Sequence, residues 1–199
     1  MKSKKIVLIG GAGFIGHNLA IALKKRGHEP VIIDNLAVNN ILSFTERGLK
    51  NRKLYWSILN QRMDLLYEND IEINIEDARN YNAMSMLVGQ HKPDVIIQLA
   101  AVSHADKSNK DPHTTFDHTL RTLENTLDIA RGYDSHVIYF SSSMVYGHFD
   151  GKEVTEKTVC NPLGIYGTLK YSGELIVKAY HHVFDIPYTI IRPSALYGE

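Results

Sequence analysis

Short apolar runs alternate with longer amphipathic segments along this chain. The apolar runs are rich in β-branched residues and predict buried strands at residues 6–9, 31–33, 95–99, 137–140 and 188–191. Between them, apolar positions recur with helical spacing and predict helices over residues 14–26, 81–90, 114–131 and 166–184. Strands that are apolar on both faces and alternate with helices are typical of a parallel sheet covered by helices on both sides. We therefore expect an α/β fold of the doubly wound, Rossmann type.

Residues 36–76 follow a less regular pattern. Apolar side chains between Leu54 and Leu66 recur at helical spacing and predict a helix over residues 51–67, and residues 71–75 alternate in the manner of a strand. The sequence contains no internal repeat, low-complexity tract or linker. We therefore expect one domain over residues 1–199, with an irregular insertion at about residues 36–76 whose role the sequence does not indicate.

Composition narrows the classes of partner. Lys plus Arg and Asp plus Glu both number 22, so the net charge is zero and no basic patch predicts binding to nucleic acid or a membrane surface. Cys160 is the single cysteine, which excludes an internal disulfide and fits a reducing, cytoplasmic location. Adjacent His181 and His182 would face different directions on a helix, and we expect no metal site. No apolar stretch approaches the length of a membrane-spanning helix.

A glycine-rich motif, GGAGFIG at residues 10–16, directly follows the first predicted strand and opens the first predicted helix. Gly10 permits a tight turn, Gly13 lets a pyrophosphate approach the backbone, and Gly16 lets the helix pack closely on the sheet. The helix N-terminus then offers unpaired N–H groups to phosphate oxygens. The motif therefore predicts a dinucleotide site.

Asp34 ends the second predicted strand, 18 residues after Gly16. A carboxylate there can accept hydrogen bonds from both adenosine ribose hydroxyls and would repel a 2′-phosphate, which favours NAD over NADP. The alternative is a strand-terminal Asp that caps a turn with Asn35.

Tyr166 and Lys170 are four residues apart in a predicted helix and therefore lie on one face. Ionising a free tyrosine at pH 7 costs about 4 kcal/mol, and we expect the neighbouring ammonium to lower that cost so that Tyr166 can act as a general base. Three serines, Ser141 to Ser143, end a predicted strand at the ligand edge of the sheet, where a hydroxyl can bond the reacting oxygen. The alternatives are a surface Tyr–Lys pair and a polar loop or helix cap.

Taken together, these motifs resemble those of the extended short-chain dehydrogenases, and especially of the nucleotide-sugar epimerases and dehydratases of the UDP-glucose 4-epimerase type. The resemblance runs from residue 5 to the end of the chain. It is carried by GGAGFIG at 10–16, Asp34-Asn35-Leu36, Asp77-Ala78-Arg79, Leu99-Ala100-Ala101, SSSMVYG at 141–147, Tyr166-x-x-x-Lys170 and RPSALYG at 192–198.

The resemblance implies roles for individual residues. The implied contacts to NAD, in chain order from the pyrophosphate loop through ribose and adenine to nicotinamide, are Gly10, Gly13, Phe14, Ile15, Gly16, Asp34, Asn35, Asp77, Ala78, Leu99, Ala100, Ala101, Tyr166, Lys170 and Pro193. Tyr166 would be the base and Lys170 would tune it. The catalytic serine usually stands four residues before the tyrosine of the V-Y-G element, which implies Ser142, with Ser143 as the second choice. Ser103 and Ser143 would approach the substrate.

The chain also departs from the family pattern. Many dehydratases carry Thr-Asp-Glu where this chain has Ser-Ser-Met, which argues against 4,6-dehydration, and Thr119 stands where relatives often have Asn. Full-length relatives continue into a smaller C-terminal domain that binds the nucleotide sugar. We expect that domain to be absent from this chain, as in a fragment.

The function implied is NAD-dependent epimerisation of a nucleotide sugar, most simply a UDP-hexose at C4, through a transient 4-keto sugar. A related decarboxylase or reductase would use the same Tyr–Lys pair and stays open as an alternative. A non-catalytic NAD-binding module is the second alternative, favoured if 199 residues is the natural length. The resemblance also implies a homodimer, paired through the helices around residues 114–131 and 166–184.

Overall fold

The computed structural model describes residues 2–37, 41–42, 51–102, 105–149, 151 and 153–198. Within these residues a parallel sheet contains β1 (Lys5–Ile9), β2 (Glu29–Ile33), β3 (Glu72–Asn74), β4 (Val95–Gln98), β5 (His136–Phe140) and β6 (Tyr188–Ile191). The strand order is β3-β2-β1-β4-β5-β6, and every neighbouring pair is parallel. The order reverses direction between β1 and β4, and open α/β sheets bind ligands at that point. The predicted Rossmann-type fold is confirmed.

The connections between strands are helical. They contain α1 (Phe14–Lys25), α2 (Arg52–Glu68), α3 (Tyr81–His91), α4 (Ala105–Lys110), α5 (Pro112–Phe116), α6 (Thr122–Ala130) and α7 (Ile165–Phe184). A π-helical turn (Asp117–Arg121) joins α5 to α6, and a 3-10 turn (Ser143–Tyr146) follows β5. In the part of the chain that the structure describes, no helix combines the length and hydropathy needed to cross a membrane.

Strand β1 shows why the strands are apolar at successive positions. Ile6 and Leu8 pack into a core on one face of the sheet, whereas Val7 and Ile9 pack into a core on the other. All four are at most 5% exposed. Because successive side chains of a strand point to opposite faces, a sheet with two covered faces needs an apolar residue at each position. The two cores fix the parallel strands in place. Their carboxyl ends, and the loops that follow, therefore lie along the same edge of the sheet.

Each core is closed by its own helices. Ala20 of α1 and Leu66 of α2 cover one face, and both are fully buried. Met84 of α3, Leu127 of α6 and Val177 of α7 cover the other face and are at most 1% exposed. Burying one such large apolar side chain contributes about 1.5–3 kcal/mol. The catalytic helix candidate, α7, is thereby attached to the same core as β4 and β5.

Two segments differ from the predicted helices and strands. The helix predicted over residues 114–131 begins at Pro112, because Asp111 caps it by accepting a hydrogen bond from the Thr114 amide at 3.1 Å, and the π-helical turn interrupts it. Helix α4 was not predicted, since its sequence ADKSNK has no apolar periodicity.

The segment predicted to be an irregular insertion, residues 36–76, contains regular structure between residues 52 and 74. Helix α2 and strand β3 match the helix and the strand predicted there, and β3 extends the sheet beside β2. Within the described part of this segment, the apolar spacing of the sequence therefore predicted both regular elements.

Candidate active site and dinucleotide cleft

The glycine-rich loop turns tightly between β1 and α1. Gly10 has φ +77°, and its amide donates to the Ile33 carbonyl at 2.7 Å. A Cβ at Gly10 would lie 2.5 Å from the Ala100 nitrogen, and one at Gly16 would lie 2.3 Å from the Gly11 carbonyl oxygen. Both positions therefore require glycine. The sequence predicted that Gly16 lets the helix pack closely on the sheet. In the structure, the residue closest to Gly16 is Gly11 of the glycine-rich loop itself.

Gly13 is the glycine of this loop that faces open space. A Cβ there would meet only the Gly10 carbonyl oxygen, at 3.7 Å, among the described residues. Gly13 is also the N-cap of α1 and provides no side-chain cap for the amides of the first turn, where Phe14 is 37% exposed. Open backbone at a helix N-terminus is a favourable place for phosphate oxygens. The loop thus fits a pyrophosphate.

Asp34 follows β2 and contacts the glycine-rich loop directly. Its Oδ2 accepts a hydrogen bond from the Ala12 amide at 3.0 Å, and its Oδ1 accepts one from the Leu36 amide at 2.8 Å. The contact to Leu36 is the turn cap that the sequence left open as an alternative. An ionised carboxylate has about four acceptor positions, so two remain for ribose hydroxyls. Burial raises the pKa of Asp34, while the Leu36 and Ala12 amides and the charge of Arg62 lower it.

Asp77 is held by an arginine that the sequence interpretation gave no role. Arg79 donates to both oxygens of Asp77, with Nη2 at 2.7 Å from Oδ2, and its Nη1 donates to Asp117 at 2.8 Å. Hydrogen bonds from Arg79 lower the pKa of Asp77 to about 2, so the carboxylate is ionised at neutral pH. Asn35 also donates to Asp77, at 3.4 Å, which brings together two of the predicted adenosine-side residues.

Ala78 occupies a different environment from its neighbour. Its side chain is 8% exposed, and its carbonyl accepts a hydrogen bond from the Asn125 side chain at 2.9 Å. Ala78 therefore contributes mainly to the base of the cleft.

The loop after β4 lies against the glycine-rich loop. The amides of Leu99 and Ala100 both donate to the Ile9 carbonyl, at 2.8 and 2.9 Å. The Ala100 carbonyl accepts from the buried Gln98 side chain at 3.1 Å, and Gln98 also donates to the Thr122 hydroxyl at 3.0 Å. Sequence reasoning missed Gln98 and Thr122. A polar residue in the apolar run of β4 was the signal that could have found Gln98.

Ala101 and Thr119, two further positions on this side, differ in how exposed they are. Ala101 is partly exposed beside Ala100. Thr119, in the π-helical turn, is 1% exposed, and its hydroxyl has no hydrogen-bond partner among the described residues. Ser103, predicted to approach the substrate, lies outside the described residues.

The three predicted catalytic residues lie together where β5 ends and α7 begins. Ser142 caps the 3-10 turn by accepting a hydrogen bond from the Met144 amide at 3.2 Å, and its hydroxyl is close enough to the Tyr166 phenol to influence the pKa of that group. Lys170 follows Tyr166 by one helical turn and is 5% exposed. Its Nζ donates to the Phe140 carbonyl at 2.8 Å. A hydroxyl, a phenol and an ammonium thus converge at the carboxyl edge of the sheet.

The pKa values of this group differ from the expected pattern. Burial raises the pKa of Tyr166, and the polar contact with Ser142 lowers it by less. Burial also lowers the pKa of Lys170 to about 8. The expectation that Lys170 lowers the pKa of Tyr166 is not met here, because burial outweighs other effects and the ammonium is directed to the Phe140 carbonyl. In this arrangement the phenol is neutral at neutral pH, with the Ser142 hydroxyl beside it.

Ser143 and Pro193 join the ends of β5 and β6. The Ser143 amide donates to the Pro193 carbonyl at 2.9 Å, beside the amide of Ser141, which donates to the Ile191 carbonyl at 2.8 Å. Pro193 therefore borders the serine run through its backbone. Ser143 begins the 3-10 turn and is half-buried, whereas Ser142 is 8% exposed.

A buried ion pair beneath the serines was missed by sequence reasoning. Glu174 is fully buried and accepts from Arg192 twice, from Nε at 2.8 Å and from Nη2 at 2.6 Å. The Ser141 hydroxyl donates to the same carboxylate at 2.6 Å, and Arg192 Nη1 donates to the Tyr146 hydroxyl at 3.0 Å. The bidentate bond raises the pKa of Arg192 further. Glu174 follows Lys170 by four residues, and that spacing could have identified it.

The chain is similar in sequence to proteins of one family. The family model described as the NAD dependent epimerase/dehydratase family matches residues 6–199. Protein CapI of Staphylococcus aureus is 30% identical over 98% of this chain and 54% of its own length. A putative UDP-glucose 4-epimerase of Methanocaldococcus jannaschii is 30% identical over 98% of this chain and 56% of its own length.

Solved structures show the same fold. The UDP-glucuronic acid 4-epimerase of Bacillus cereus, in complex with UDP-glucuronic acid and NAD, is 28% identical with a TM-score of 0.74 over 94% of this chain and 55% of that one. The UDP-glucose 4-epimerase of Brucella ovis, in complex with NAD, has a TM-score of 0.77 at 23% identity over 96% of this chain and 51% of that one. The chain spans about half the length of the relatives that it matches.

Proposed function

The chain belongs to the NAD dependent epimerase/dehydratase family, and on that premise we propose that it carries the cofactor site and the catalytic residues of a nucleotide-sugar epimerase that acts on a UDP-hexose at C4. The observation that carries the proposal is the convergence of Ser142, Tyr166 and Lys170 at the carboxyl end of β5. The names of two relatives support the choice of reaction, since one is a putative UDP-glucose 4-epimerase and the other a UDP-glucuronic acid 4-epimerase.

The glycine-rich loop and its neighbours would hold NAD. The open backbone at Gly13 would receive the pyrophosphate, Asp34 the adenosine ribose hydroxyls, and Asp77 the adenine edge. Ala100 would lie on the nicotinamide side, because it contacts the glycine-rich loop from β4. When bound, the nicotinamide supplies reversible oxidation and reduction of the sugar carbon.

Tyr166 would move the proton of the sugar hydroxyl, while Ser142 bonds the same oxygen. As the carbon is oxidised to the ketone, the hydroxyl proton passes to Tyr166, and it returns when the ketone is reduced from its other face. Burial opposes the phenolate that this requires, because it raises the pKa of Tyr166. The buried ammonium of Lys170, one turn along α7, would stabilise that phenolate when it forms.

Product analysis tests this proposal. The protein purified from its native gene is incubated with UDP-glucose and, separately, with UDP-glucuronic acid, and the sugars are resolved by NMR. We expect the 4-epimer to form without stoichiometric NADH, and we expect Tyr166→Phe to reduce kcat about 1000-fold. Tyr180→Phe is the matched control, because Tyr180 lies at the far end of α7 beside Phe184 and should leave kcat unchanged.

Other outcomes would replace the proposal. NADH that accumulates in step with product would indicate a dehydrogenase, loss of the sugar carboxyl group would indicate a decarboxylase, and a 4-keto-6-deoxy product would indicate a dehydratase. Binding of NAD without conversion of either sugar would favour a non-catalytic module.

A further inference from the structure

Arg62 is a buried arginine on α2, the helix within the segment to which the sequence assigned no role. It is 8% exposed, whereas Leu54 and Trp56 on the same helix are 59% and 45% exposed. Its Nε is buried and has no hydrogen-bond acceptor among the described residues. Arginine is almost never buried unless it is paired, so this position requires an explanation other than packing.

The contacts of Arg62 lead to the glycine-rich loop. Its Nη1 donates to the Ala12 carbonyl at 3.4 Å. The Ala12 amide donates to Asp34 Oδ2 at 3.0 Å. Ala12 is fully buried, so its side chain does not face a ligand. The two polar groups of one loop residue are therefore held by a cation from α2 and an anion from the end of β2.

Three titratable groups from three elements meet at this loop, and the charge of Arg62 acts on each of the other two. They are Arg62 of α2, Asp34 after β2 and His17 of α1. His17 is 4% exposed, its Nδ1 contacts the Gly13 carbonyl at 2.9 Å, and burial lowers its pKa, with a smaller contribution from the charge of Arg62. His17 is therefore neutral at pH 7. Arg62 is the cation that these interactions assign to Asp34 among the described residues.

We propose that Arg62 is a positioning residue for the adenosine end of the dinucleotide site: it fixes the Ala12 peptide and keeps Asp34 ionised, so that Asp34 binds the ribose hydroxyls of NAD+. The inference rests on the NAD binding in the proposed function. It gives α2 a role in cofactor binding, since that helix brings the guanidinium to the Ala12 carbonyl of the glycine-rich loop.

Nucleotide affinity tests the proposal directly. The dissociation constant of NAD+ is measured by calorimetry between pH 5.5 and 8 on nucleotide-free wild-type protein and on Arg62→Met. We expect Arg62→Met to weaken the binding of NAD+ about tenfold at pH 7, which is the loss expected when one hydrogen bond to a charged group is removed. Binding should also begin to weaken at a higher pH than in the wild type, because Asp34 without its cation is protonated more readily.

Two further variants separate charge from folding. Arg62→Lys keeps the positive charge but loses the planar guanidinium and its several N–H donors. It should therefore bind NAD+ a few times more weakly, with the wild-type pH profile. This variant carries the test if Arg62→Met does not fold. Arg52→Met, an exposed position at the start of α2, should change neither the affinity nor the profile.

The outcomes are distinguishable. If the wild type binds NAD+ and Arg62→Met binds it equally at every pH, with a changed melting temperature only, Arg62 is a core residue and the proposal fails. If Arg62→Met weakens NADP+ more than NAD+, Arg62 faces the 2′ position and the proposal also fails. If the wild type does not bind NAD+, the cofactor assignment of the proposed function fails with it.

Discussion

The glycine-rich loop at one end of the cleft is shaped by backbone contacts, whereas the catalytic end is shaped by buried hydroxyl and charged side chains. A Cβ at Gly10 or Gly16 would come within 2.5 Å of another residue's backbone, so shape is what selects the residue there. At the catalytic end, Ser141, Glu174 and Arg192 form one hydrogen-bonded group. The first region should therefore be sensitive to added atoms, and the second to changes in charge.

The largest effect is expected from the ion pair below the serines. Glu174→Gln leaves Arg192 without its buried countercharge, and breaking such a pair typically costs about 3–5 kcal/mol. The free energy of unfolding in urea measures the change. Glu124→Gln, in the exposed pair with Arg121, is the matched control and should cost at most about 1 kcal/mol. Equal losses in the two variants would show that burial does not distinguish these pairs.

The next effect separates adjacent serines. Ser142→Ala removes the hydroxyl beside the Tyr166 phenol and should lower kcat about 100-fold with a nearly unchanged affinity for NAD+. Ser143→Ala should change kcat less than threefold, because the contact of Ser143 to Pro193 is through its amide. Steady-state kinetics of both variants decide the assignment, and the reverse order of effects would transfer the catalytic role to Ser143.

A smaller effect tests the shape of the loop. Gly10 and Gly27 have nearly equal φ, +77° and +83°, but a Cβ at Gly27 would have nothing within 4 Å among the described residues. Gly10→Ala should therefore be about 2 kcal/mol less stable than Gly27→Ala. The strain of a positive φ is common to both variants, so the difference measures the overpacking alone. Gly10→Ala should also weaken the binding of NAD+. Equal stabilities would mean that the contact to Ala100 relaxes without cost.

The last effect is a gradual pH slope, at most about 1.4 kcal/mol per pH unit. Burial lowers the pKa of Lys170 from 10.5 to about 8, so between these values the unfolded chain binds a proton that the folded protein has released. Stability therefore rises with pH over that window, by at most about 1.4 kcal/mol per pH unit, and this contribution is flat below pH 8. Lys170→Met should lose this slope in urea denaturation measured at several pH values. An identical slope in both proteins would contradict the shift.

Much of the molecule could be predicted from local pattern. The strands and most helices were predicted because apolar periodicity is a property of neighbouring residues, and Gly10, Asp34, Tyr166 and Lys170 were singled out by spacing. The structure brings the Ser142 hydroxyl beside the Tyr166 phenol, 24 positions apart in the chain. Helix α4 was not predicted, since its six residues lack an apolar face.

The sequence by itself determined the parallel α/β architecture, the dinucleotide loop and the Tyr–Lys spacing, because each is written in residues within one or two elements. Only the tertiary structure decided which charges meet. Arg62 reaches Ala12 across 50 positions, and Arg192 reaches Glu174 between β6 and α7. Tertiary packing also decided that burial, rather than the charge of Lys170, dominates the pKa of Tyr166. The physical reason is that desolvation depends on everything packed around a group, and no local pattern records it.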